Sequence, residues 1–351
     1  MTLPADLPEC FTGLSAWIGR DLSQNPDLWR VKLSADQIAD LEQAAKRFLS
    51  LGKDIGEIDK TNFPLDSFTD HLGALRKKLI NGIGVEVLTG LPVKSYSREM
   101  SAAIFCGVGA HLGIPRSQNA AGHILGHVRD VGADPTDTNT RIYQTSARQT
   151  FHTDSADVVG LLCLQDAQSG GESLLVSAVT IYNCMRESRP DLLVRLFDPI
   201  ATDRRGEVPE GAGPFMEIPV LNWHAGYLTV FYQRQYIESA QRFDAAPRLT
   251  GDQIAALDMF DEMANDPELH IQMRLRPGDM QFVYNHAQLH DRTGYVDWPS
   301  PDNRRHLLRL WLSIPGDRPL PPCFAERYGS IEVGNRGGII TAETRLHAAL
   351  D

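Results

Sequence analysis

The run Arg304-Arg305-His306-Leu307-Leu308-Arg309-Leu310-Trp311-Leu312-Ser313-Ile314 decides how this chain must fold. Side chains of an extended strand alternate between two faces, so Arg305, Leu307, Arg309 and Trp311 share one face. Leu308, Leu310, Leu312 and Ile314 share the other. The leucine row cannot be left in water, and two arginines cannot be buried without anions. A guanidinium fork grips a carboxylate through two parallel hydrogen bonds, so this strand calls for carboxylate-like partners on its interior face.

Working outward, short apolar runs bounded by Gly, Pro, Asp or Asn predict further strands. They fall at Val158–Gln165, Ser173–Val176, Tyr227–Gln233, Ile271–Leu275 and Met280–Tyr284, with another at Gly84–Leu88. Their spacing is too irregular for a propeller and too helix-poor for a doubly wound sheet. The first eighty residues read as helical: Ser34-Ala35-Asp36-Gln37 is a capping box, followed by Ile38, Leu41, Ala45, Phe48 and Leu49 at helical spacing. Helices are also expected from Ser97 to His111, stopped by Gly113 and Pro115, and over Thr250–Asn265, which opens on a second capping box. The polar loops Asp130–Thr140, Asp203–Gly213 and Asp297–Asn303 are long enough to act as lids. The expected class is mainly β with flanking helices. Residues 1–83 form a helical part packed on a core spanning 84–351, and no Pro/Ser-rich linker separates the two.

Composition narrows the function. The chain has 351 residues, 42% hydrophobic and 23% charged, which rules out wholesale disorder. A net charge of −11 without a basic stripe argues against a nucleic-acid partner. No apolar stretch approaches membrane-spanning length, and the first ten residues lack a secretory pattern, so neither a membrane nor export is expected. The five cysteines are scattered without a CxxC pair and read as reduced thiols of a cytoplasmic protein. Oligomeric state is left open.

Three segments carry chemistry. In Phe151-His152-Thr153-Asp154, the i and i+2 positions let His152 and Asp154 present an imidazole and a carboxylate to one metal ion. The second segment is Ser169-Gly170-Gly171-Glu172-Ser173. The third is Asn285-His286-Ala287-Gln288-Leu289-His290-Asp291-Arg292, where one more histidine completes a two-His, one-carboxylate face of the kind that leaves open positions on Fe(II). His286 and His290 both qualify by position.

Taken together, FHTD, GGES and H…RRHLLR resemble the TauD/TfdA family of Fe(II)- and 2-oxoglutarate-dependent dioxygenases, over roughly Gly84 to Pro315. The resemblance implies a double-stranded β-helix, or jelly roll, with a helical N-terminal part and long lid insertions. It implies His152, Asp154 and His290 as iron ligands, His290 being favoured over His286 by the Asp-Arg-Thr-Gly-Tyr segment behind it. Ser173 and Arg305 would hold the distal carboxylate of 2-oxoglutarate, with Arg304 a solvated neighbour. Arg309 matches a position that contacts an acidic group of the substrate in some members, and Arg148 is a weaker substrate-side candidate. Two departures are visible: the hydroxyl follows Gly-Gly-Glu instead of Gly-Gly-Asp, and Arg305 lies fifteen positions after His290, with Trp298-Pro299-Ser300-Pro301 in the extra length.

The implied activity is oxidation, by default hydroxylation, of a small and anionic molecule, using O2 and converting 2-oxoglutarate to succinate and CO2. The carboxylate at Asp154 argues against halogenation, whose practitioners in the family lack it. Two other readings compete: a cupin-type enzyme with the same triad but no 2-oxoglutarate, and a catalytically silent binding protein. His123 and His127 could bind zinc if helical, but lack a third ligand and read as packing or surface residues. Cys184 has no neighbouring catalytic histidine and is not expected to be a nucleophile.

Overall fold

The computed structural model describes residues 3–135, 140–209, 211–339 and 344–350. Two sheets form its centre. One has seven strands, running Arg30–Lys32, Val85–Thr89, Met280–Tyr284, Val158–Gln165, His306–Ser313 and Ile114–Arg116, with Leu125–Val128 also pairing to His306–Ser313. The other has four, in the order His270–Met273, Ser173–Ser177, Gln288–Arg292 and Gln149–His152. All pairings within these sheets are antiparallel except Arg30–Lys32 with Val85–Thr89.

Alternation assigns each face. Leu308, Leu310, Leu312 and Ile314 turn outward and are buried with Phe105, Val108 and Leu112 of the Arg98–Leu112 helix and with Phe48 and Leu75 of the Ala35–Leu49 and Thr69–Asn81 helices. Each such leucine contributes about 1.5–3 kcal/mol by leaving water. The Arg98–Leu112 helix is apolar nearly all round because it lies between the sheet and the other helices. Gly107 leaves room for Phe63, since a Cβ there would stand 2.2 Å from the Phe63 ring. Its N-cap is Ser97, whose hydroxyl accepts from Met100 N at 3.0 Å. Both predicted capping boxes, at Ser34 and Thr250, are formed.

The four-stranded sheet is built the same way. Phe151, Leu174, Val176 and Leu289 face out beneath the Ala178–Ser188 and Gly251–Ala264 helices. Leu175, Ile271 and Met273 face in and meet Val85, Val87, Val283 and Leu307 of the larger sheet. The molecule is therefore mainly β with helices on both outer faces, as expected.

Several boundaries differ from the sequence reading. The Tyr227–Gln233 run is a strand only over Tyr227–Val230, because Phe231 N turns to Val220 O and Gln233 forms an isolated bridge to His152. The Gln149–His152, Gln288–Arg292, Ile200–Asp203, Phe215–Ile218 and Leu221–His224 strands were not expected; each has only four or five residues and mixes polar with apolar groups. The supposedly helical first eighty residues also contribute the Arg30–Lys32 strand. Residues 136–139 of the Asp130–Thr140 loop lie outside the described residues, as does 210 of the Asp203–Gly213 loop. Among the described residues, no helix is long and apolar enough to cross a membrane.

Candidate active site

Sheet register brings the first two functional groups together. His290 stands directly opposite His152 across one strand boundary and opposite Leu175 across the other, while Arg292 stands opposite Ser173. Directly paired residues point to the same side, so His152, Ser173, His290 and Arg292 all face the larger sheet. The two imidazole centroids are 4.1 Å apart. Asp154 follows the end of its strand and brings Oδ1 to 3.9 Å from His152 Nε2 and Oδ2 to 3.6 Å from His290 Nε2. One donor atom from each of the three residues lies within 4.8 Å of the others, a set that can hold a metal ion.

The surroundings prepare these donors. His152 Nδ1 is 2.8 Å from Thr150 O, a carbonyl that can only accept, so the proton sits on Nδ1 and Nε2 presents its lone pair. Gln149 Nε2 donates to that lone pair at 2.8 Å. Burial, then the nearby His290 and Arg309, push the His152 pKa down to about 3, so the ring is neutral at physiological pH. Burial opposes ionisation of Asp154, but Arg309 and the two imidazoles outweigh it and hold its carboxyl far below the usual range. Asp154 Oδ2 accepts from Trp311 Nε1 at 2.9 Å and Arg309 Nη1 at 3.3 Å. Asn285 clamps the turn, accepting from Asp154 N at 2.8 Å and donating to Asp154 O and Ala156 O at 2.6 and 2.8 Å.

Beside the triad, Arg305 is buried with Nη1 lacking any hydrogen-bond partner among the described residues, and it makes no ion pair there. Burial lowers its pKa, and its guanidinium lies 5.0 Å from the Tyr295 ring. Ser173 and Arg305 line one cavity with His152, Asp154 and His290. The Gly-Gly pair explains itself here: Gly171 has φ +76°, and a Cβ on it would come within 3.0 Å of Arg305 Nε. A buried, unpaired cation next to a two-nitrogen, one-oxygen donor set suits an anionic chelator on Fe(II).

Arg309 is packed between Tyr143 and Trp311, 4.6 and 4.8 Å from their rings, and donates through Nε to Gln118 Oε1 at 2.7 Å. It lines both the triad cavity and a second cavity that includes Arg141, Tyr236 and Arg327. Glu207 bridges the two arginines Arg141 and Arg327, meeting Arg327 Nη1 at 3.3 Å. Residues so far apart in the chain offered no pattern to find them by. Trp311 was placed on the interior face, but its bond to Asp154 was not foreseen.

Arg148, the weaker substrate-side candidate, is not among the residues that line either cavity. Its side chain is 43% exposed and pairs with Asp291 at 2.7 Å and Asn265 at 2.6 Å. Asp291 alternates with His290 and Arg292 and so faces out, carrying Arg148 with it. His286 belongs elsewhere too. It is fully buried with Nε2 2.8 Å from Asp157 Oδ1 and 3.8 Å from Asp317 Oδ2, in a cluster closed by Arg336. His127 lies on a strand, not a helix, with Nδ1 2.8 Å from His306 Nε2, and His123 packs on His347. Among the described residues, Cys184 has no histidine in hydrogen-bond contact, and burial raises its thiol pKa.

These features first define a class: a scaffold of two packed β-sheets enclosing a three-donor cluster suited to a divalent metal. The comparisons with known proteins make it specific. The family model "Taurine catabolism dioxygenase TauD, TfdA family" matches residues 47–311, and the chain belongs to that family. It is 32% identical over 323 residues to FR-33289 synthase of Streptomyces rubellomurinus, covering 91% of this chain and 95% of that one. It is 28% identical over 198 residues to a uridine-5'-phosphate dioxygenase of an Amycolatopsis species, covering 53% and 68%. Asparagine oxygenase, solved with Fe(II), 3-hydroxyasparagine and succinate, shares the fold with TM-score 0.63 at 18% identity, covering 81% of this chain and 93% of that one. The protein is an oxidoreductase of the 2-oxoglutarate-dependent non-haem iron class, using Fe(II), 2-oxoglutarate and O2 on a small molecule.

Proposed function

We propose that His152, Asp154 and His290 hold Fe(II), that Ser173 and Arg305 take the distal carboxylate of 2-oxoglutarate, and that the protein hydroxylates a small anionic substrate. The observation that carries this reading is Arg305, a buried cation with an unpartnered Nη1 in the cavity of the two-His, one-carboxylate cluster. When bound, iron with 2-oxoglutarate supplies the oxidising power that breaks a substrate C–H bond. The chain's own residues position and exclude. Trp311 and Arg309 aim the Asp154 carboxylate, Thr150 O fixes the His152 tautomer, and the leucines behind the strand keep water out. Arg309 is shared between the two cavities, so it meets an acidic group of the substrate while steadying Asp154.

An anionic substrate is supported by the arginines at positions 141, 309 and 327 around the second cavity. The phosphate of the substrate for which the Amycolatopsis relative is named points the same way. We read the sandwich as a double-stranded β-helix with the long loops as lids, and residues 1–83 and 84–351 as one structural unit. Five free cysteines fit a cytoplasmic location. A cupin-type activity without 2-oxoglutarate would leave Arg305 unexplained.

The test is anaerobic titration of the Fe(II)-loaded protein with 2-oxoglutarate, following the charge-transfer absorption of the chelate. Wild type shows the band, and His290→Ala loses it together with succinate formation. His286→Ala retains the band when refolded. A wild-type protein without the band refutes the assignment.

A further inference from the structure

We infer that Arg292 is a second cation of the keto-acid site and the tether by which that site holds one wall of the substrate cavity. The inference rests on the assignment of Arg305 to the co-substrate's distal carboxylate. Arg292 is 7% exposed, lies on the strand position opposite Ser173, and lines the same cavity as Arg305. Both guanidiniums pack on one ring, Arg292 at 4.8 Å and Arg305 at 5.0 Å from Tyr295. Neither makes an ion pair with a carboxylate among the described residues, and Arg292 Nε is buried with no hydrogen-bond partner there. Two like charges held around one tyrosine repel each other unless an anion comes between or beside them. A dicarboxylate answers that need better than a keto acid with one carboxylate.

The rest of the guanidinium looks the other way. Nη2 donates to Thr145 O at 3.1 Å and Ile142 O at 3.3 Å, and Nη1 to Thr293 O at 3.4 Å. The carbonyls at 142 and 145 bracket Tyr143, which packs on Arg309 and lines both cavities, and they follow Arg141 of the substrate cavity. Arg292 thus touches the keto-acid side through charge and the substrate side through backbone bonds. Filling the first steadies Arg292, and with it the 141–145 wall. The substrate cavity is completed by co-substrate binding, which makes Arg292 a positioning residue for an ordered sequence.

The test uses full-length protein carrying Arg292→Gln or Arg292→Lys, with Fe(II) and without O2. Affinity for 2-oxoglutarate is read from the charge-transfer titration, and amide hydrogen exchange over residues 140–148 is compared with and without 2-oxoglutarate. In wild type the keto acid protects this segment. Arg292→Gln weakens 2-oxoglutarate at least tenfold and abolishes the protection. Arg292→Lys keeps affinity within about threefold, because the charge remains, but loses the protection, because a shorter side chain with one nitrogen cannot stand beside the carboxylate and reach the 142 and 145 carbonyls at once. Unchanged affinity and protection in Arg292→Gln overturns the proposal. So does a wild-type segment indifferent to 2-oxoglutarate. Should Arg292→Gln fail to fold, Arg292→Lys decides alone: retained protection overturns the tether. A wild type without the band is a different result, since it overturns the Arg305 assignment itself, whereas a wild-type band with unaffected Arg292 variants overturns only this inference.

Discussion

Replacing Arg336 by Met should be among the most destabilising single changes away from the triad. Arg336 is wholly buried and donates through Nε to Asp157 Oδ1 at 2.7 Å, through Nη2 to Asp317 Oδ2 at 2.8 Å and through Nη1 to Arg318 O at 2.7 Å. The two carboxylates stand at the start of the Val158–Gln165 strand and just past the His306–Ser313 strand, so the guanidinium ties together the ends of two central strands. Methionine nearly fills the space, and the loss is therefore electrostatic. His286 remains for Asp157 and the Tyr284 hydroxyl, at 2.5 Å, for Asp317, but two buried carboxylates keep less positive charge between them. Removing one partner of a buried ion network costs about 3–5 kcal/mol. With an unfolding entropy of roughly 2 cal/mol/K per residue, a chain of this length loses ~4–7 °C in Tm.

Urea unfolding followed by tryptophan fluorescence, paired with scanning calorimetry, measures both quantities. The pH dependence has a definite sign. Burial raises the Asp157 pKa, but His286 and Arg336 overcome it and hold the group below its ordinary 3.8. That stabilisation is present above the unfolded pKa and is lost as pH falls through the folded one. The deficit of Arg336→Met is thus full near neutrality and shrinks in acid. Adding Asp157→Asn should recover part of it, since one uncompensated charge is gone. A loss under 1 kcal/mol, or a double variant no better than the single one, would refute the reasoning.

Two other changes probe the site and the sheet. Gly171→Ala puts a Cβ on a backbone with φ +76° and within 3.0 Å of Arg305 Nε. A cost of about 1–2 kcal/mol in holding Arg305 for 2-oxoglutarate corresponds to roughly a 5–30-fold weaker Kd, measured by the charge-transfer titration. Glu86, buried in the Val85–Thr89 strand, pairs with Lys78 and, at 2.7 Å, with His71. Burial raises its pKa, but His71 and Lys78 prevail and lower it from 4.5. Glu86→Gln should cost about 1–3 kcal/mol at pH 7 and progressively less below pH 4.5, as read from urea midpoints across pH.

Much of this was legible in the chain alone. Alternation over Arg305–Ile314 sorted leucines from arginines because a pleated strand has a period of two, whatever lies around it. Capping boxes at Ser34 and Thr250 read correctly because their bonds are local. His152 and Asp154 could be paired from their spacing for the same reason. Polar strands such as Gln288–Arg292 escaped notice because their burial comes from the partner sheet and not from their own composition.

The sequence by itself determined the mainly β class, the family and the identity of the chemical groups, all of which rest on local periodicity and short motifs. Only the tertiary structure decided their company. It separated His290 from His286, four residues away, because one pairs in register with His152 and the other drops into the Asp157–Asp317–Arg336 cluster. It sent Arg148 outward to Asp291, and it set Arg292 beside Arg305 on a single tyrosine ring. Strand register and loop closure bring together residues more than a hundred positions apart, and no local pattern records which of them will meet.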